Sequence, residues 1–395
     1  MPALLLTVFV DTVGFGMVLP LLPYFAERYG AEPHVVTMLV ATFTLAQFVF
    51  APVWGKLSDR LGRRPVILFT IAGTAAGYAA TAYADALWML FAARAFTGAM
   101  ASNVAVIQAY VSDVTGAAQR ARGMGRVGAA HGLGFVCGPA LGGLFAGADP
   151  VSPDVRLPFL IAAALSAIAL AVAWVRVRES TAAESRASAA KRPRKGRIAA
   201  FREALTRPQL GVLLALLAMT PFAFSGIEST FVMWSERALG WGPAQNGWLY
   251  TYMGVVAVLT QAFVVGRLAT RIGEARTIRL GAACIALGAA ALLFADGYVM
   301  LCLAFGLIVF GTCINNPSLN SLISQFADPD ERGTLLGVAQ SCSALARVIG
   351  PVWGGMLFVG LGRDWPFVSA VVVMAAMFAL AFRLRPGPKG EGEGR

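Results

Sequence analysis

Apolar runs of about 20 residues, joined by short polar turns, follow one another along almost the whole of this 395-residue chain. A helix rises about 1.5 Å per residue, so each run is long enough to cross the roughly 30 Å hydrocarbon layer of a bilayer. Lipid offers backbone amides no partner, which restricts spanning segments to helices or a closed barrel, and the period-two alternation of barrel strands is missing here. Composition agrees with a lipid solvent: 57% of residues are hydrophobic, 13% are charged, and mean hydropathy is +0.68. The spacing predicts an all-α integral membrane protein with about twelve spans, over 4–26, 35–55, 66–84, 86–110, 122–147, 157–176, 209–235, 244–266, 277–295, 298–320, 331–359 and 364–383. Several exceed what one crossing needs, which implies tilt or helix continuing beyond the membrane.

In a water-soluble chain the net charge of +11 would raise nucleic acid as a partner. On the predicted topology, four of the 32 Lys and Arg residues (Arg28, Arg156, Arg237, Arg363) fall on one face, Arg94 and Arg347 fall inside spans, and the other 26 share the opposite face. Such an excess marks the cytoplasmic side, so the chain is expected in the inner (cytoplasmic) membrane, multi-pass, with both termini cytoplasmic and no nucleic-acid partner. Asp11 interrupts the first run and no basic segment precedes it, so that run reads as a retained span rather than a signal peptide. The five cysteines lie in spans without metal-ligand or disulfide spacing, and no His cluster, phosphate-binding Gly loop or Ser/His/Asp set is present in the sequence. The expectation is a non-enzyme that needs no cofactor or metal.

The densest polar stretch between two spans is Gly55-Lys-Leu-Ser-Asp-Arg-Leu-Gly-Arg-Arg-Pro65, predicted to be a cationic turn at the cytoplasmic face. Segment 177–208, with Arg and Lys among Ala and Ser, reads as a basic cytoplasmic linker with a surface helix near 198–206. On either side of it the chain repeats. Gly55, Leu57, Arg60 and Gly62 recur 211 residues later as Gly266, Leu268, Arg271 and Gly273, and Gly138-Pro139-x-x-Gly142-Gly143 recurs 212 residues later as Gly350-Pro351-x-x-Gly354-Gly355. Two agreeing offsets imply duplication of a six-span unit in parallel orientation. The expected domains are a six-helix bundle over 1–176, the linker 177–208, a second bundle over 209–385 and a cytoplasmic tail over 386–395.

The segment Gly55-x-Leu57-x-Asp59-Arg60-x-Gly62-Arg63-Arg64 resembles the loop between the second and third helices of the major facilitator superfamily. Asp11-x-x-Gly14-x-Gly16-x-x-x-Pro20-x-x-Pro23, Leu90-x-x-x-Arg94-x-x-x-Gly98 and Gly134-x-x-x-Gly138-Pro139-x-x-Gly142-Gly143 are similar to first-, fourth- and fifth-helix motifs of its twelve-helix drug/proton antiporters, tetracycline/proton antiporters among them. The resemblance implies two pseudo-symmetric six-helix bundles and alternating access. It also implies proton-coupled efflux of a small amphipathic drug-like molecule, by a monomer in the lipid bilayer. A proton-coupled importer of an organic metabolite on the same scaffold is the alternative. One feature departs from the tetracycline pattern, which places acids in the third and ninth helices: the third span here is uncharged, and the ninth, 277–295, has no acid.

An ionised carboxylate inside a span is costly, so Asp11 is expected to face water, pair with a cation or take up a proton, against the plainer alternative of hydration near the helix end. Arg94 cannot discard its charge; the resemblance implies a part in proton movement, with snorkelling to the interface as the alternative. Glu228 is the second intramembrane acid, read as a further protonation site or a cation contact for substrate, or as a hydrated helix end. Arg347 and His131 adjoin the two Gly-Pro motifs and are candidates for coupling, with a packing hydrogen bond as the alternative for the histidine. Because the first, fourth, seventh and tenth helices line the cavity in this superfamily, the resemblance implies a substrate cavity that includes Asn103, Gln108, Phe231, Trp234, Asn315 and Asn316. It also implies a cytoplasmic gate from Gly55, Asp59, Arg60, Gly62, Arg63 and Asp113. In the second copy Thr270 replaces the acid and Glu274 follows Gly273, so a matching latch is expected to be weaker or absent. Gly134, Gly138 and Gly142 share one helical face and permit close helix approach, Pro139 permits a kink, and Gly143 completes the antiporter motif.

Overall fold

The computed structural model describes residues 2–115, 117–180, 206–328 and 331–384; most of 177–208, with the helix expected near 198–206, and the tail 386–395 lie outside the described residues. Every regular element among them is helical, and eleven helices are long and apolar enough to cross a membrane. The first span departs from expectation by breaking into α1 (Pro2–Val18) and α2 (Leu22–Glu27). Pro20 has no amide hydrogen for the carbonyl four residues back and its ring crowds that turn, so α1 stops at Val18, while Pro23 sits in the first turn of α2, where its missing donor costs nothing.

The cationic segment is also not the turn that its polarity suggested. Helix α3 (Pro33–Leu61) continues through Lys56, Asp59 and Arg60, and α4 (Arg63–Ala82) starts two residues later, leaving Gly62 as the whole joint. Its φ of 105° is open to glycine and strained for any residue with a Cβ. The fourth span is α5 (Leu87–Met100) and α6 (Val104–Val114), interrupted at 101–103. Then follow α7 (Ala117–Ala146), α8 (Arg156–Arg176), α9 (Pro208–Leu239), and an eighth span made of α10 (Pro243–Leu259), a π-turn (Thr260–Val264) and α11 (Val265–Ile272). Gly273, at φ 80°, joins α11 to α12 (Glu274–Leu292), repeating the Gly62 joint. The chain ends in α13 (Tyr298–Phe326), α14 (Arg332–Gly360) and α15 (Trp365–Leu380).

Packing divides the chain into two compact units: Met1–Pro193 with Phe231–Val255, and Arg194–Thr230 with Val256–Arg395. In the first, α1 lies along α7 and α8, and α4 packs on α5 and α8 around a core that includes Leu4, Val8, Ile67, Ile71, Ile107 and Val111. In the second, α12 packs between α13 and α15.

Candidate functional site

Asp11, near the middle of α1, is met by the broken fourth span. Where α5 gives way to α6, Asn103 leaves the helix and directs its amide nitrogen to Asp11 Oδ2 at 3.4 Å and to Thr70 Oγ1 of α4 at 3.2 Å. Asp11 Oδ1 is shielded from solvent and has no hydrogen-bond partner among the described residues. Next to it in the chain, Thr12 donates to the Val8 carbonyl at 2.8 Å and its hydroxyl shares a 2.9 Å hydrogen bond with His131 Nδ1 of α7. The histidine thus ties α7 to α1 one residue after Asp11.

Arg94 does not reach an interface. It is 2% exposed, its guanidinium lies over the Phe43 ring of α3 at 4.3 Å, and Nε has no hydrogen-bond partner among the described residues. Leu90, Arg94 and Gly98 form one face of α5, and Gly98 abuts the Phe43 backbone. Tyr78 of α4, 1% exposed and packed on Gly14, lies within electrostatic range of both Asp11 and Arg94.

The small-residue face of α7 packs directly on α1. A Cβ at Gly138 would lie 2.6 Å from the Val13 carbonyl oxygen, one at Gly142 would lie 2.7 Å from that of Met17, and one at Gly134 would lie 2.9 Å from that of Phe9. The other face meets α10: Gly143 abuts the Pro243 carbonyl, and Gly247 abuts that of Pro139. In the second unit the duplicate repeats the first contact, a Cβ at Gly350 falling 2.5 Å from the Phe222 carbonyl.

At the Gly62 joint, Arg63 bonds Asp59 at 2.7 Å, Ser58 Oγ at 2.6 Å and Asp113, the last acid of α6, at 3.3 Å. Glu179, just past α8, accepts the backbone amides of Arg63 at 2.8 Å and Arg64 at 3.2 Å, capping α4. Arg60 is exposed in the last turn of α3, and a Cβ at Gly55 would meet nothing within 4 Å.

In the second unit Glu228 of α9 lies within electrostatic range of Arg347 of α14. Arg347 lines a cavity of about 130 Å³ with Pro221, Asn316, Asn320, Gln340 and Ser343. The other expected cavity residues lie elsewhere. Asn315 is fully buried against Gly281 of α12, and Gln108 is exposed on α6. Phe231 and Trp234 are buried and stacked on each other, with ring centroids 5.8 Å apart, and Tyr250 meets Phe231 edge-on.

The family model of the Major Facilitator Superfamily matches residues 4–242 and 229–395. The chain belongs to the major facilitator superfamily. It is 31% identical over 393 residues to the tetracycline resistance protein, class C, of Escherichia coli, covering 96% of this chain and 95% of that protein. It is 26% identical over 375 residues to multidrug resistance protein 2 of Bacillus subtilis, covering 94% and 91%. Among solved structures, the human organic anion transporter MFSD10 (TETRAN) aligns with a TM-score of 0.71 over 96% of this chain and 98% of that one, at 24% identity, which shows the fold. The motif-level likeness to drug-resistance transporters therefore extends over the chain, and this superfamily member is a multi-pass membrane transporter with a small-molecule substrate.

Within the superfamily fold, the second copy of the joint has its own form. Arg63 and Asp113 correspond, 211 and 212 residues on, to Glu274 and Gln325, and these also meet: Glu274 Oε1 accepts from Gln325 Nε2 at 2.9 Å and from Ser321 Oγ at 3.1 Å. The contact is kept, but the ion pair is replaced by a charge-assisted hydrogen bond. The ninth span also starts earlier than its apolar run, so it does carry an acid, Glu274, in its first turn. Sequence reasoning missed Glu179 because it lay in a segment read as linker, and missed Tyr78 because an aromatic residue in a span has no distinguishing pattern. It also missed a network at the far end of the first span. There Tyr24 donates to the Trp241 carbonyl at 2.8 Å and accepts from Asn246 at 3.0 Å, and Arg237 pairs with Glu27 at 3.0 Å.

Proposed function

We propose that this transporter exports a small amphipathic molecule in exchange for protons by alternating access, with Asp11 as the principal protonation site. The observation that carries the reading is the partnership of Asp11 with a neutral amide, Asn103, while Oδ1 has no partner and no ion pair to Asp11 forms among the described residues. A carboxylate locked to a guanidinium resists protonation; one held by an amide exchanges its proton without breaking an ion pair. Arg94, which lies with Asp11 within electrostatic range of Tyr78, supplies a fixed positive field whose balance changes when Asp11 gains or loses charge. The drug-resistance names of the relatives support a drug-like cargo. Arg63, Asp59 and Asp113 form the latch that holds the outward-facing state, and the chain works as a monomer with both termini in the cytoplasm.

The test is reconstitution in liposomes with an imposed pH gradient, following tetracycline and a panel of amphipathic dyes. Asp11→Asn is expected to abolish gradient-driven movement while retaining passive exchange of bound substrate. Gradient-driven flux equal to that of the unaltered protein refutes the role of Asp11, and accumulation in the same direction as the protons identifies an importer instead.

A further inference from the structure

The cavity of the second unit is built from one cation and a set of neutral hydrogen-bonding groups. Arg347 and Gln340 come from α14, Asn316 and Asn320 from α13, and Ser343 sits between the two α14 residues; no acid is among the lining residues. At about 130 Å³ the space is well below the roughly 300 Å³ that begins the range for sites enclosing a whole drug-sized ligand. It fits one polar substituent and the edge of the ring that bears it.

The donors are arranged for an anion. A guanidinium offers a planar fork matched to two oxygens, and Gln340 and Asn316 on the same lining carry amides able to donate further N–H groups. Asn320 donates its amide nitrogen to the Asn316 carbonyl at 2.9 Å, which leaves its shielded Oδ1 without a hydrogen-bond partner among the described residues. Pro221 of α9 forms another part of the wall, and because it lacks an amide hydrogen the Leu217 carbonyl beside it receives no bond from residue 221. Both oxygens suit a hydroxyl or N–H next to the acidic group.

Glu228 supplies the remaining element. It lies within electrostatic range of Arg347 and is absent from the cavity lining, so its charge acts on the guanidinium without occupying the space a ligand would fill.

We propose that this cavity is a subsite for the anionic group, a carboxylate or acidic enolate, of an amphipathic organic substrate, bound by Arg347 in competition with Glu228. The assignment of the bound molecule as transport cargo rests on the export reading above; the binding chemistry does not. The shared cation makes a direct statement about affinity: a ligand anion and the Glu228 carboxylate draw on the same guanidinium, so removing the Glu228 charge strengthens ligand binding.

The experiment is calorimetric titration of the purified full-length protein in detergent, corrected with empty micelles, using 2-naphthoate and its uncharged isostere 2-naphthamide. The unaltered protein is expected to bind naphthoate saturably and at least about tenfold more tightly than the amide. Arg347→Gln is expected to weaken naphthoate by about tenfold or more and to leave the amide within about twofold, with Arg347→Lys between the two because it keeps charge and loses the fork. Glu228→Gln is expected to tighten naphthoate by roughly threefold to tenfold, a change that damage to packing would not produce.

Absence of saturable naphthoate binding, equal affinity in the unaltered protein and Arg347→Gln, parallel losses for naphthoate and naphthamide, or no tightening in Glu228→Gln each overturns the proposal. Binding in micelles needs no gradient and no Asp11, so failure here leaves proton-coupled export standing, and failure of the Asp11 flux test leaves this subsite standing.

Discussion

Glu179 and Gly62 occupy each other's space, and that permits a quantitative test of how the first-half joint is held. The Glu179 carboxylate caps the two leading amides of α4 at 2.8 and 3.2 Å. A cap of this kind contributes about 1 kcal/mol, helped by the positive end of the helix dipole and reduced by solvent exposure. Glu179→Ala should therefore destabilise by about 1 kcal/mol, and Glu179→Gln by about half of that. Gly62→Ala places a Cβ at φ 105°, which costs about 2 kcal/mol in strain. The same Cβ would lie 2.8 Å from Glu179 Cδ, displacing the carboxylate and forfeiting the cap, so the single substitution totals about 3 kcal/mol. In the double variant the cap is already gone and only strain is added, so the expected total is also about 3 rather than 4 kcal/mol, a coupling of about 1 kcal/mol. Dodecyl-sulfate titration in mixed micelles, followed by helical ellipticity, measures all four stabilities. Additivity to within about 0.3 kcal/mol would show that Glu179 does not fill the space above Gly62 and would refute the capping argument.

A second pair of variants tests helix contact in α7. Gly138→Ala forces a Cβ to 2.6 Å from the Val13 carbonyl, so α1 and α7 must separate and the thermal midpoint should fall with a loss of about 1–3 kcal/mol; Gly128→Ala, whose Cβ meets nothing within 4 Å, should be neutral or slightly stabilising. Equal effects at the two sites would remove the close-packing account. In the latch, a double-mutant cycle of Arg63→Gln with Asp113→Asn should give a coupling of about 0.5–1 kcal/mol that shrinks as salt rises, because both side chains are partly exposed. The Glu274–Gln325 cycle should change less with salt, since only one partner is charged; a reversed order contradicts the reading of the two joints.

The spans were legible because a bilayer demands long apolar helices, and their ends moved where polar residues continued a helix into water, as at Lys56 to Leu61. The Gly62 joint was visible as a motif, but its reduction to one residue was not, since Asp59, Arg60 and Arg63 read equally well as loop or helix termini. Asn103 illustrates a harder limit. The family resemblance implies a place for it in a cavity wall, and nothing in the local pattern announces the break at 101–103, from which its amide reaches Asp11. Glu179 meets α4 from 116 residues away and Tyr24 meets Asn246 across 222, and neither distance leaves a trace in local pattern.

The duplication separates what the backbone requires from what side chains do with it. Gly62 and Gly273 both take positive φ, and Gly138 and Gly350 both approach a carbonyl of the facing helix more closely than any Cβ allows, so neither pair can diverge without moving helices. Charges carry no such restriction, and they differ between the copies: Arg63 with Asp113 in the first stand where Glu274 with Gln325 stand in the second. The intramembrane acids differ in the same way, Asp11 resting on an amide and Glu228 opposite a guanidinium. An acid beside an amide gives up and regains a proton without opening an ion pair, whereas an acid opposite a guanidinium is a rival to any incoming anion. One backbone plan used twice thus leaves room for two different chemistries, and the two proposals, proton exchange at Asp11 and recognition of an acidic group at Arg347, place one in each half.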